Sequence, residues 1–283
     1  MKKSHRKKLT ISIVIFALSL ILAGNIFYQN VWSKDYDFVF FDFGGNNDAV
    51  LNKEYVVDDS KEINLDLTSI DLNVYKSTDD KIYIEAYDIN PSNITISFED
   101  GILRITETGN QRVCIFCTGN DSHIDIYVPV DYGGSTTLKN TSGDINIADI
   151  EDMNLNLEVT SGDIEINRVG NINVITESGD VEISSAKEIT FSSKSGDLTV
   201  HNGIVKDIVT ETGDVEFEYA NILTLSKIAT STGDVILDEI SDAKVSYDTE
   251  SGQVKISDTS FDTERELTVT TKSGNIYVNQ KKQ

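Results

Sequence analysis

Basic side chains are scarce in this chain beyond its first few residues. It holds 24 lysines and arginines against 47 acids over 283 residues, for a formal charge of −23. Lys2, Lys3, Arg6, Lys7 and Lys8 all precede an apolar run, so the part beyond it carries about −28. Such a body repels nucleic acid and anionic lipid and draws cations or a cationic partner towards it. Proline is nearly absent too. Pro91 and Pro129 both sit at strand edges, and no linker separates two domains. Cysteine is limited to Cys114 and Cys117, in Cys-Ile-Phe-Cys. A local disulfide outside the cytoplasm would require a bend there, because residues three apart on a straight strand face opposite ways. A redox motif would open a helix beside a βαβ pattern, and zinc would need a second ligand pair that His123 alone cannot complete. His5, His123 and His201 are the only histidines, and none has the setting of a general base. Glycine-rich corners without a following helix make no phosphate loop. No catalytic residue and no cofactor is assigned.

What the chain does have is repetition. A Ser or Thr, then Gly, usually Asp, then apolar-x-apolar recurs eight times, with glycines at Gly143, Gly162, Gly179, Gly196, Gly213, Gly233, Gly252 and Gly274. The intervals are 19, 17, 17, 17, 20, 19 and 22 residues. A near-fixed period with variable filler marks a repeat array. Within one unit, Val181 and Ile183 alternate, a polar corner follows, and Ile189 and Phe191 alternate again. Each unit is two short strands and two corners, with no 3.6-residue stripe for a helix. One unit buries too little to offset its ordering entropy, so units must stack. The expectation is all-β, a β-solenoid of 17–22-residue coils about 4.8 Å apart.

The glycines are read as structural turns through positive φ. Alternation counted from Val245, Tyr247 and Thr249 places Ser251 inside, which predicts an internal hydroxyl ladder at the Ser-Gly-Asp corner. Glu177, Lys194 and Glu211, and later Glu250 and Lys272, put opposite charges on neighbouring coils. The stacked aspartates Asp163, Asp180, Asp197 and Asp214, with Asp144 and Asp234, have two readings. They satisfy turn N–H groups, or they hold a row of calcium ions. The glycine-rich nonapeptide of calcium-binding β-rolls is missing, and one carboxylate per coil is sparse.

The ends and flanks are read as follows. Leu9 to Tyr28 is twenty residues without a charge, long enough to span a bilayer. Residues 1–8 are then a cytoplasmic tail and 9–29 a transmembrane signal anchor, with the C-terminal body outside the cytoplasm. A cleaved signal peptide competes with this, but Leu22-Ala23-Gly24 lacks the small-x-small site and no cysteine is placed for lipid attachment. Residues 30–60 form a stalk or cap. Their aromatics, from Tyr36 to Phe43, either cover the first coil or face a membrane or partner. Residues 61–140 are degenerate coils, and 141–283 are the regular solenoid.

The strand His123–Pro129, a short linker and then repeated Ser/Thr-Gly-Asp coils resemble the bacterial putative-adhesin domain over about residues 60–280. With a single N-terminal span, the arrangement resembles LiaG-like proteins of Gram-positive bacteria. The resemblance implies a surface-exposed solenoid tied in some relatives to envelope-stress responses, and it carries over no catalytic residue. Gln253 and Asn275 depart from the pattern where Asp is expected. The function expected is a non-enzymatic, membrane-anchored adhesive module with a protein or glycan partner. The rivals are a cell-wall polysaccharide-binding or -cleaving β-helix and a plain spacer. Clustered acids with exposed aromatics on one face would favour the polysaccharide reading, and along the sequence the aromatics beyond residue 43 look scattered.

Overall fold

The computed structural model describes residues 37–39, 51–56, 61–108, 112–114, 122–241, 243–257 and 264–280. The expected tail at 1–8, the span at 9–29 and Cys117 lie outside them, and of Cys114 only the backbone is described. Among the described residues, no helix is long and apolar enough to cross a membrane. Asp37–Val39 pairs in parallel with Arg112–Cys114 in a small separate unit.

The larger unit is a stack of coils, each giving one strand to each of two parallel ladders. The first ladder runs through Glu62–Leu67, Ser135–Ser142 and Asn154–Ser161. It continues in the C-terminal halves of Ile164–Thr176, Val181–Ser195 and Leu198–Thr212 and reaches Leu225–Thr232. The second takes Asp71–Ser77, Ile145–Ile147, the N-terminal halves of the same three long strands, Val215–Asn221 and Val235–Ile240. Period-two alternation turns every second side chain inward, and parallel pairing in register puts like positions above one another. Val181, Leu198 and Val215 stand in one column, continued by Ile164 on one side and Val235 on the other. All five are 2% exposed or less.

The first coil carries the repeat signature without its glycine. Thr68-Ser69-Ile70-Asp71 precedes Leu72-Asn73-Val74, and Leu72 pairs with Ile145. Beyond this coil, Ile102–Glu107 and His123–Pro129 add one more parallel pair. Then the direction reverses. Ile94–Glu99 lies antiparallel to Ile102–Glu107, Lys81–Tyr87 antiparallel to His123–Pro129, and Leu51–Val56 antiparallel to Lys81–Tyr87. Only the first of these pairs is a hairpin, turning through Asp100 and Gly101 at positive φ, and the other two join strands far apart in sequence.

The other end departs from sequence order. Glu266–Ser273 pairs with Leu225–Thr232 on one side and Lys244–Ser251 on the other. Ile276–Gln280 likewise lies between Val235–Ile240 and Val254–Ser257. The last coil in sequence is therefore the penultimate coil in space, and residues 244–257 form the end of the stack. That placement explains Tyr247, which is 54% exposed although its register partner Val269 is fully buried.

Candidate functional site

The repeat glycines form one column. A Cβ built on any of the eight would lie 1.9–2.6 Å from a backbone oxygen of the coil beside it. Six of them, from Gly143 to Gly233, also have φ between +111° and +149°. Gly274 and Gly252 lie outside that range, yet a Cβ on either would meet Gly233 O or Gly274 O at 1.9 Å, so close approach of the backbones is the requirement all eight share. The glycine order in space, 233, 274, 252, repeats the swapped coil order.

The aspartates beside them form a chain of side-chain-to-backbone hydrogen bonds. Asp71 Oδ1 accepts the N–H of Asp144 at 2.8 Å, and Asp144 that of Asp163 at 2.9 Å. Asp163, Asp180, Asp197 and Asp214 accept in turn from Asp180, Asp197, Asp214 and Asp234 at 2.7–3.0 Å. Asp234 accepts from the N–H of Asn275, and Asn275 Oδ1 from that of Gln253. Asn therefore serves as well as Asp at the penultimate rung, and Gln253, as the last rung, only donates its N–H. Among the described residues no three His, Cys, Asp or Glu side chains converge as metal ligands do.

The inner hydroxyl ladder exists, but one alternation earlier than expected. Thr176, Ser193, Thr210, Thr230 and Thr271 are buried, whereas Ser251, Ser195, Thr212 and Thr232 are exposed. Thr176 and Ser193 donate to the backbone oxygens of Ser178 and Ser195, both at 2.9 Å. The chain has already begun to turn at the signature Ser or Thr, which carries that side chain outward. Of the charge pairs on neighbouring coils, Lys194 meets Glu177 at 2.5 Å.

A different set of groups gathers on the outer face near the other end. Leu51–Val56, Lys81–Tyr87, His123–Pro129 and Asp71–Ser77 lie side by side there. Ile82, Ile84 and Ala86 turn inward, as do Ile124 and Ile126, and the intervening residues therefore share the outer face. Register sets them in rows. Glu54, Tyr83, Tyr127 and Tyr75 make one row, Asn52, Glu85, Asp125 and Asn73 the next, and Tyr87, His123 and Asp71 a third. Tyr75 and Tyr127 have ring centroids 5.4 Å apart, and Tyr87 stacks on His123 at 4.6 Å. Glu85 accepts from Asn52 Nδ2 at 3.2 Å and from the Tyr87 hydroxyl at 2.8 Å. Asp125, 8% exposed, accepts from Asn73 Nδ2 at 2.9 Å, with His123 Nε2 at 3.9 Å.

The phenols register this surplus of negative charge. The hydrogen bond to Glu85, then burial and the carboxylates, push Tyr87 up to about 12. Burial, then Glu85 and Asp125, raises Tyr127, and burial with Asp125 raises Tyr75. All three stay neutral hydrogen-bond donors with intact ring faces. Strand parity held the signal for this face: Tyr83-Glu85-Tyr87 and His123-Asp125-Tyr127 occupy alternate positions opposite apolar residues. The pairing of strands far apart in sequence did not show along the chain. The aromatics that look scattered there meet in space.

The sequence profile of Toastrack DUF4097 matches residues 60–278. No curated protein matches the chain. Among solved structures, a putative adhesin from Bacteroides fragilis NCTC 9343 is similar at a TM-score of 0.50 and 16% identity, over 82% of this chain and 96% of that one. A putative adhesin from Parabacteroides distasonis ATCC 8503 has a TM-score of 0.47 and 15% identity, over 86% and 100%. A structure from the same strain called a putative lipid binding protein scores 0.30 at 15% identity, over 87% and 100%. Likeness at such identities speaks to fold alone. The profile spans most of the chain, and the protein belongs to the Toastrack DUF4097 family.

Proposed function

We propose that the protein is a non-enzymatic interaction module, held by residues 9–29 in a membrane with its solenoid outside the cytoplasm, where it binds a partner in the cell envelope. The observation that carries the reading is the row of tyrosines beside Glu85 and Asp125 on a rigid sheet face. Aromatic rings with polar groups between them are the composition of recognition surfaces. The five basic residues before the apolar run support the orientation. The names of the similar structures, adhesins above all, agree with a surface role. A part in envelope-stress responses fits the same placement.

Protease added to intact cells tests the placement. The solenoid should be cleaved from outside while an N-terminal tag stays protected, and full protection of a C-terminal tag overturns the reading. A photo-crosslinking residue at Tyr75 then tests the face, because the module reading requires an adduct that the same residue placed at Glu216 does not give.

A second reading has an observation of its own. Two acids share one face with tyrosines, of which Tyr75 is exposed, and such a grouping favours a polysaccharide-binding surface. Stacking of sugar rings on Tyr75 and Tyr127 would be its basis.

A further inference from the structure

Glu85 and Asp125 stand directly opposite each other on antiparallel strands. Like charges so placed destabilise a sheet. Among the described residues Asn52, Tyr87, Tyr127 and Asn73, all neutral, donate to them, and the His123 ring lies 3.9 Å from Asp125. Of the lysines on these strands, Lys76 is engaged with Asp149 at 3.1 Å and Lys81 with Glu54, while Lys53 stands in register with the inward-facing Ile84 and off the outer rows. The acid pair is thus bounded by tyrosine faces on one side and the Tyr87–His123 stack on the other. A carboxylate pair left to neutral donors and framed by aromatic rings is complementary to an organic cation. The rings attract it through their quadrupoles and the carboxylates through charge-assisted hydrogen bonds.

We propose that the outer face formed by Asn73, Tyr75, Glu85, Asp125 and Tyr127 binds the lysine or arginine side chains of a basic polypeptide segment. This rests on the reading of the protein as an interaction module and names the chemistry of what that module takes. A neutral sugar would stack on the tyrosines but leave the opposed carboxylates uncompensated. An anionic glycan or lipid would add to the repulsion. The surrounding body, at about −28, steers cations to the face from a distance.

The test uses the full-length protein in micelles of a polyoxyethylene ether detergent, which offers neither a sugar nor an ammonium headgroup. Labelled tetralysine is titrated and followed by fluorescence anisotropy at about 0.15 M salt, where the screening length is about 8 Å. Glu85→Gln is expected to weaken binding about tenfold or more, and Tyr75→Ala, at a residue 38% exposed, severalfold. Glu216→Gln removes the same charge seven strands away from Glu85, about 34 Å along the stack, and should leave binding within about twofold. Circular dichroism verifies that each variant keeps its strand signal.

Equal losses for Glu85→Gln and Glu216→Gln would mean bulk attraction and overturn the proposal. So would saturable binding of a neutral N-acetylglucosamine tetramer without binding of tetralysine, or binding of neither. Membrane orientation is read separately by protease on intact cells. Failure of tetralysine binding therefore removes the ligand class and leaves the module reading to stand or fall on its own test.

Discussion

At the scale of single residues, the repeat glycines are held by contact as much as by dihedral angle. The Cβ of an alanine at Gly196 would meet Gly179 O at 2.1 Å, and backbone cannot swing away as a flexible side chain can. Gly196→Ala is expected to destabilise by about 3–5 kcal/mol, the range of strained backbone combined with overpacking. Gly133→Ala, whose Cβ meets nothing closer than 4.0 Å, should be near neutral. Chemical denaturation of the pair checks this, and similar midpoints would refute the stacking argument. His201 offers a different kind of residue-level prediction. Its ring bridges Glu218 at 3.0 Å and Glu182 at 3.2 Å, and those hydrogen bonds, Glu218 first, raise its pKa. A raised folded-state value contributes stability that is complete below the unfolded value of about 6.5 and fades as pH climbs through the folded one. The melting temperature of the wild type over His201→Gln should therefore be largest near pH 6 and shrink by pH 8.5, as thermal melts across that range would record. All three side chains are about half exposed, so the effect is about a degree or two and not a switch.

At the scale of elements, the swapped order of the last two coils changes what truncation does. In a stack that follows sequence, removing the final repeat trims one end and leaves its neighbour exposed but paired. Here, ending the chain at residue 257 removes Glu266–Ser273 and Ile276–Gln280, which among the described residues are the sole ladder partners of Lys244–Ser251 and Val254–Ser257. Residues 244–257 should then lose amide protection together, while the Val235–Ile240 strand keeps its pairing to Val215–Asn221. Hydrogen exchange on the truncated chain would show this. Retained protection at 244–257 would mean that the coil can close the gap and pair with Leu225–Thr232. The intercalation was not legible in the sequence, because both coils carry near-equivalent signatures and pairing depends on which fits better. The stack itself was legible, since period-two apolar spacing plus a recurring Gly admits little else. Ile70 escaped notice as a signature position because it lacks the glycine that defines the pattern. The tyrosine–carboxylate face escaped because Glu85 and Asp125 are forty residues apart, and only the antiparallel register brings them opposite. Parity gave each strand its outer residues, and nothing local said which strands would be neighbours.

At the scale of the whole molecule, a body near −28 carries a column of aspartates that must tolerate its own repulsion. The hydrogen-bond chain answers part of this, since each Oδ1 from Asp71 to Asp234 is committed to the next coil's N–H. Solvent and salt answer the rest, because the carboxylates are at the surface, where a Debye length of about 8 Å screens distant members of the column. Raising sodium chloride should therefore stabilise the protein gradually and without saturation at low concentration. A row of calcium ions would behave otherwise. A specific site at a hundred times its dissociation constant adds about 2.7 kcal/mol, and several degrees of melting temperature would follow for a chain of this size. With one oxygen of each carboxylate spent on the backbone, a single rung offers too few hard ligands for a six- to eight-coordinate ion. Thermal melts in about 2 mM calcium, compared with sodium or magnesium chloride at matched ionic strength, should agree within about 2 °C. A saturating, calcium-specific rise of 5 °C or more would show instead that Asp163, Asp180, Asp197 and Asp214 act together as an ion-binding column, and that the hydrogen-bond chain is only its resting arrangement.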